Sequence, residues 1–90
     1  MAIGVIFSAA GVTQAQYDQV LKEVMPGNKL APGMLYHVGG PAQNGWRVFE
    51  VWESRDAMDR FFHDKLGAAL QKANVNAQPE FFEVHNLVQS

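Results

Sequence analysis

The stretch GWRVFEVWES, residues 45–54, decides the fold, because it is typical of a β-strand with large apolar groups on both faces. Side chains alternate between the two faces of an extended chain. One face would carry Trp46, Val48, Glu50 and Trp52, and the other Arg47, Phe49, Val51 and Glu53. Both faces therefore need a covering layer, which the rest of the chain or a partner must supply.

The composition indicates one small globular domain that spans residues 1–90. Of these 90 residues 48% are hydrophobic and 18% charged, which is near the lower size at which a single core is stable alone, so a partner chain would help. The net charge of −2 and the scattered Lys and Arg residues argue against nucleic acid as a partner. The absence of cysteine excludes disulfides and thiolate chemistry.

The N-terminal run MAIGVIFSAAG has no basic flank and is too short to span a bilayer. It is predicted to form a first strand over residues 2–8, and we expect a cytoplasmic protein with no membrane partner. Thr13 and Gln16 have the spacing of a capping box at the start of a helix that Pro26 and Gly27 end.

Two further strands are predicted on either side of an Asn44-Gly45 turn. The second strand covers residues 34–38 and ends at Gly39, Gly40 and Pro41, so its hairpin with the opening stretch is predicted to have a loop longer than two residues. Because Gly39-Gly40 precedes Pro41 and no helix follows, this pair does not indicate a phosphate-binding loop.

A second helix is predicted to begin after Ser54 and to weaken or kink at Gly67. A fourth strand covers residues 80–88. The buried stripe of the helix would comprise Met58, Phe61, Phe62, Leu66, Ala69, Leu70 and Ala73.

The resulting β-α-β-β-α-β order predicts an α+β, ferredoxin-like fold, in which two helices cover one face of a four-stranded antiparallel sheet. The helices can cover one face only. Since the opening strand is apolar on both, the second face is predicted to pack against another copy of the chain, which forms a homodimer.

The segments FEVWESRDAMDRFF, LGAAL and FFEVHNLV resemble the dimeric α+β barrel superfamily, and within it the small antibiotic-biosynthesis-monooxygenase-like domains. The resemblance implies two sheets packed face to face into a barrel. It also implies a choice of roles: cofactor-independent quinone-forming monooxygenases, haem-degrading enzymes, muconolactone-isomerase-like proteins and proteins of unassigned role. Many monooxygenase-type members have a His on the second helix about nine residues after the Trp, where this chain has Phe61.

Glu50, His37 and His85 are the candidate catalytic residues. Glu50 shares a strand face with two Trp residues, and a buried carboxylate needs a partner. That partner could be Arg47 of another copy, Lys65, His85 or a tyrosine, or Glu50 could act as a general base. His37 and His85 lie on different predicted strands without metal-ligand spacing, so no metal is predicted, and both could equally be structural. His63 is expected at the surface.

A set of aromatic side chains could wall a pocket for a flat ligand or could simply fill the core. The sequence thus favours a small homodimeric barrel of unassigned role that binds a small apolar or aromatic ligand between helices and sheet. The alternative is a cofactor-independent monooxygenase or isomerase acting on an aromatic or polyketide-like substrate. No cofactor is predicted. The candidate ligand-binding residues are Tyr36, Trp46, Trp52, Phe62 and Phe82.

Overall fold

Four strands and two helical connections form the fold, and the computed structural model describes residues 1–90. The elements in chain order are β1 (Ile3–Ala10), α1 (Gln14–Val24), β2 (Met34–Ala42), β3 (Gly45–Trp52), α2 (Arg55–Phe61), α3 (Gly67–Lys72) and β4 (Gln78–Glu83). A π-helical segment, Phe62–Leu66, joins α2 to α3.

The strands form one antiparallel sheet in the order β2-β3-β1-β4, which confirms the predicted ferredoxin-like fold. The helical connections pack on a single face, where the fully buried Trp52, Met58 and Val5 are the centre of the core. Trp52 packs against Phe61, with ring centroids 5.3 Å apart. Burying such rings supplies much of the stability of a domain this small.

The start and end of α1 agree with the sequence prediction. The Thr13 hydroxyl accepts a hydrogen bond from the Gln16 backbone N–H at 3.2 Å, and the Gln16 side chain accepts one from the Thr13 N–H at 2.9 Å. These reciprocal bonds satisfy two amides that have no partner within the helix. Gly27, with φ 73°, lies in the left-handed conformation just after the helix.

The β2–β3 hairpin corrects two predictions. β2 does not end at Val38 but continues through Gly39, Gly40 and Pro41 to Ala42, and the loop consists of Gln43 and Asn44 alone. β2 is an edge strand, where a proline need not break the ladder, and Asn44 adopts the positive φ of 68° that the tight turn requires.

The predicted place of Phe62 in the buried helix stripe is wrong, since its side chain is 42% exposed. The π-helical segment that begins there adds a residue to one turn, so that Phe61 and Leu66, five positions apart, both face the core. Gly67 itself keeps helical backbone angles. The irregularity foreseen at Gly67 thus lies in the turn before it.

β4 covers residues 78–83 rather than 80–88. Glu83 pairs with Ile3, the first residue of β1. β1 therefore offers no further residue with which β4 could continue the ladder. One additional bond, from the Val84 N–H to the Ala2 carbonyl, continues the contact. Phe81 shares the core face with its partner Val5, and Phe82 points to the opposite face.

The face away from the helices, here called the open face, has an apolar centre. Val38, Phe49 and Phe82 are 60%, 37% and 44% exposed, and the Phe49 and Phe82 rings stack 6.4 Å apart. The helices therefore cover the Trp46–Trp52 side of β3 and leave the Phe49 side bare. The helices themselves are too short or too polar for any to cross a membrane.

Candidate functional site

A small cavity, the site cavity, lies between the sheet, α1 and the α2–α3 connection. Its volume is about 70 Å³, and its wall is apolar except where Tyr17, His37, Trp46 and Glu50 reach it. An engineered cavity of about 150 Å³ accommodates benzene. A ring can therefore occupy the site cavity only if side chains such as Leu21 and Leu70, which line it and are half-buried, move aside.

Three side chains in the cavity wall form a continuous hydrogen-bonded chain, the Tyr17–His37–Glu50 chain. The Tyr17 hydroxyl lies 2.6 Å from His37 Nε2, and His37 Nδ1 lies 2.8 Å from Glu50 Oε2. The second carboxylate oxygen, Oε1, accepts a hydrogen bond from the Trp52 indole N–H at 2.9 Å. Both oxygens of Glu50, which is 3% exposed, are thus satisfied despite burial.

The hairpin and α1 bring these groups together. The two-residue loop sets a register in which His37 lies directly opposite Glu50 on the helix-covered face of the sheet. The Tyr17 side chain projects from α1 and packs against Gly39. A Cβ atom at this position would lie 2.5 Å from the tyrosine oxygen. Glycine at this position therefore makes room for the Tyr17 hydroxyl to reach His37.

The donors and acceptors define a direction along the chain. A carboxylate can only accept, so His37 Nδ1 carries the proton that Glu50 receives, and Nε2 is left as the acceptor of the Tyr17 O–H. This arrangement matches the way in which a carboxylate orients an imidazole towards a hydroxyl group in acid–base catalysis. A proton can move from the cavity to His37, whose charge Glu50 would stabilise.

Burial raises the pKa of the Tyr17 hydroxyl, and the nearby negative charges of Glu50 and Asp18 raise it further. Both causes disfavour the phenolate. Tyr17 is therefore a neutral hydrogen-bond donor at physiological pH, and it can pass a proton only by receiving another one.

Trp46 supplies a flat wall beside this chain. Its ring centroid lies 5.0 Å from that of Tyr17. Its indole nitrogen is buried and has no acceptor, whereas the indole of Trp52 is bonded to Glu50.

The structure brings some of the predicted site residues together and separates others. His37, Glu50 and Trp46 line the cavity, and Trp52 lies behind Glu50. The partners of Glu50 are thus His37 and Trp52, and neither is among the partners that the sequence suggested. The predicted site residues that do not line the cavity are Tyr36 and Phe82, on the open face, Phe62, on the exposed side of the π-helical segment, and His85, exposed beyond β4.

Tyr17 is the functional candidate that the sequence did not indicate as one. In the sequence Tyr17 is the first member of an apolar stripe on α1, which consists of Tyr17, Val20, Leu21, Val24 and Met25. Its position at the edge of that stripe, followed by a glycine pair in the facing strand, is the signal that could have marked it.

No protein-family model matches the sequence, and no curated protein matches it either. Solved structures do match over nearly the whole chain. A point mutant of SnoaB, a cofactor-independent oxygenase from Streptomyces nogalater, is 14% identical with a TM-score of 0.68, and the alignment covers 99% of this chain and 97% of that one.

Antibiotic biosynthesis monooxygenase-like proteins from two other bacteria also match over nearly the whole chain. That from Chloroflexus aurantiacus is 18% identical (TM-score 0.68, covering 99% of this chain and 98% of that one). That from Deinococcus radiodurans is also 18% identical (TM-score 0.65, covering 100% and 98%). The chain therefore has the fold of the small antibiotic-biosynthesis-monooxygenase-like domains, which confirms the resemblance seen in its sequence.

Proposed function

We propose that the protein is a cofactor-independent oxygenase that deprotonates an electron-rich, polycyclic phenol and lets the resulting anion react with oxygen. The observation that supports this most strongly is the Tyr17–His37–Glu50 chain, which ends at an otherwise apolar cavity. SnoaB, which shares the fold, is itself a cofactor-independent oxygenase. The non-catalytic alternative, a protein that only binds an aromatic ligand, would use the same cavity.

The proposed reaction converts a ring CH₂ group, activated by conjugation to a phenol or its keto tautomer, into a carbonyl. One C–H proton leaves through Tyr17 to His37 Nε2, and the carbanion gives one electron to O₂. The radical and superoxide then form a C–O bond. Protonation of the peroxide, loss of the second C–H proton and cleavage of the O–O bond release water, so that one oxygen atom enters the carbonyl and the other the water.

The protein's contribution would be orientation and proton transfer in a dry site. The substrate supplies all the electrons. The site cavity has a volume of about 70 Å³. Pockets that bind ligands typically have volumes of about 300–1,000 Å³, so a polycyclic ring does not fit the cavity as it stands. Binding must therefore displace the aliphatic side chains of the cavity wall.

The experiment is oxygen uptake with anthrone, a keto tautomer of a polycyclic phenol, recorded together with formation of the quinone product. We expect uptake above the spontaneous rate and one O₂ consumed per quinone formed. Glu50→Gln should lower the enzymatic rate by about 100-fold or more, as loss of a general-base system does. Glu53→Gln, an exposed carboxylate near the end of the same strand, should retain the rate.

A wild-type rate equal to that of buffer would contradict the proposal, and so would an undiminished rate in Glu50→Gln. Anthrone binding without oxygen uptake would favour the ligand-binding alternative.

We further propose that two copies form a homodimer through the open face. The support is the exposed apolar centre at Val38, Phe49 and Phe82, on the face that the chain's own helices leave bare. Apolar patches of this kind commonly mark interaction sites. A second sheet with the same alternation would bury the patch symmetrically.

A further inference from the structure

The indole N–H of Trp46 is a buried donor that nothing in the protein accepts. Such a group costs free energy because it has lost its water without gaining a partner. The chain's other tryptophan, Trp52, gives its N–H to Glu50, so the unpaired state is particular to Trp46. Trp46 also lines the site cavity, so a molecule bound there would lie against its ring, and we consider such a molecule as the missing acceptor.

The surroundings limit what this molecule can be. The cavity wall is otherwise apolar, and the one neighbouring hydroxyl, on Tyr17, already donates to His37. A ligand oxygen that can only accept a hydrogen bond would therefore accept it from the Trp46 N–H. The flat Tyr17 and Trp46 rings, 5.0 Å apart and tilted by 30°, favour a planar apolar body for the rest of the ligand.

We infer that Trp46 donates its indole N–H to a carbonyl oxygen of a planar ring ketone bound in the site cavity. The binding inference is independent of catalysis, whereas its chemical use rests on the proposed function. The ketone belongs to the substrate class proposed above, in which the carbonyl is conjugated to the carbon that loses its proton.

In the chemical step, the substrate C–H proton moves to the Tyr17 oxygen as the Tyr17 proton moves to His37 Nε2. The C–H electron pair forms a C=C bond, and the π pair of the C=O bond moves onto the carbonyl oxygen. Trp46 would then hold the developing enolate oxygen. A fixed donor in a dry site stabilises such a charge more strongly than water does.

A ligand pair that differs only in this oxygen tests the inference: 1-indanone and indane. The chain has two tryptophans, so its ¹⁵N–¹H spectrum contains two indole signals. Trp46→Phe assigns them by removing one, and Glu50→Gln provides an independent assignment by perturbing the Trp52 signal. We expect 1-indanone to shift the Trp46 N–H signal downfield and indane to leave it without that shift.

The affinity ratio of 1-indanone to indane should fall about tenfold in Trp46→Phe, the effect of losing one hydrogen bond. Tyr36→Phe removes a hydroxyl on the open face, outside the site cavity, and should keep the wild-type ratio. A Trp46 signal that 1-indanone does not shift at concentrations up to its solubility overturns the inference, as does a ratio that falls equally in Tyr36→Phe. The spectrum of the wild-type protein decides the matter even if Trp46→Phe does not fold.

The outcome is separable from that of the oxygen-uptake assay. A shifted Trp46 signal without oxygen uptake would remove the oxygenase proposal and leave the ketone site in place. Oxygen uptake without the shift would leave the oxygenase proposal and remove this role of Trp46.

Discussion

His37 and Glu50 lie opposite each other on β2 and β3, with His37 Nδ1 2.8 Å from Glu50 Oε2. The strand register fixes this contact, and α1 adds Tyr17 on the other ring nitrogen. Three elements thus deliver a carboxylate, an imidazole and a hydroxyl in the order that acid–base catalysis uses. The surrounding cavity wall is apolar, which strengthens electrostatic interactions among them.

The raised pKa of Tyr17 predicts a loss of stability in alkali. The folded state holds the Tyr17 proton more tightly than the unfolded state, in which tyrosines titrate at about pH 10. Stability from this group is complete below about pH 10 and falls as the pH rises from there through the folded-state pKa. Urea unfolding from pH 8 to 11 should show a smaller alkaline loss in Tyr17→Phe than in the wild type. An equal loss in both would contradict the prediction, and Tyr36→Phe is the matched control.

Gly39→Ala should separate Tyr17 from His37, because the new methyl group would lie 2.5 Å from the tyrosine oxygen. With Tyr17 displaced from its buried position, its pKa should fall towards its ordinary value. Absorbance titration of tyrosinate in a Tyr36→Phe background, where Tyr17 is the single tyrosine, measures this directly. Gly40→Ala adds the same methyl group where no atom lies within 4 Å and should leave the titration unchanged. Identical curves for the two variants would count against the steric role of Gly39.

Glu50→Gln should destabilise the fold by about 1–3 kcal/mol, the cost of leaving a buried polar group unsatisfied. A carboxylate accepts from both His37 and Trp52, whereas an amide presents its NH₂ group to one of these donors. Urea unfolding monitored by circular dichroism gives the difference. The exposed Glu53→Gln should change stability by less than about 0.5 kcal/mol. If both variants matched the wild type, the hydrogen bonds to Glu50 would contribute nothing.

Phe49→Asp and Val48→Asp should have different consequences, although the residues are adjacent on β3. Phe49 lies on the open face, while Val48 lines the site cavity under the helices. A charge at residue 49 should yield a folded monomer in sedimentation experiments. A charge at residue 48 should destabilise the subunit itself, because an unpaired charge enters the core. A wild-type protein that sediments as a monomer at high concentration would refute the dimer.

The sequence predicted the fold correctly because alternation in the strands, the Thr13 capping box and the turn residues all favoured the same arrangement. It did not predict the His37–Glu50 pair, because Gly39, Gly40 and Pro41 favoured an early end to β2. Their conformational preferences were overridden by pairing with β3, which carries the strand on to Ala42. A longer loop gives a different register, so the sequence did not predict that His37 lies opposite Glu50.

The misplacement of Phe62 has a different origin. Periodicity assumes a regular helix, and a single π turn changes the face of every later residue. The open face, by contrast, was foreseen from the two-sided character of β3, and the structure shows which side it is.

The most direct test of the account is the protonation pattern of the His37 ring, observed by ¹⁵N NMR of the histidine-labelled protein at pH 8. His37→Gln identifies its signals, and His63 and His85 provide exposed references. We predict that Nδ1 carries the proton and that Nε2 has the shift of an unprotonated nitrogen, which accepts from Tyr17. A proton on Nε2 would contradict the proposed direction of transfer from the cavity to His37.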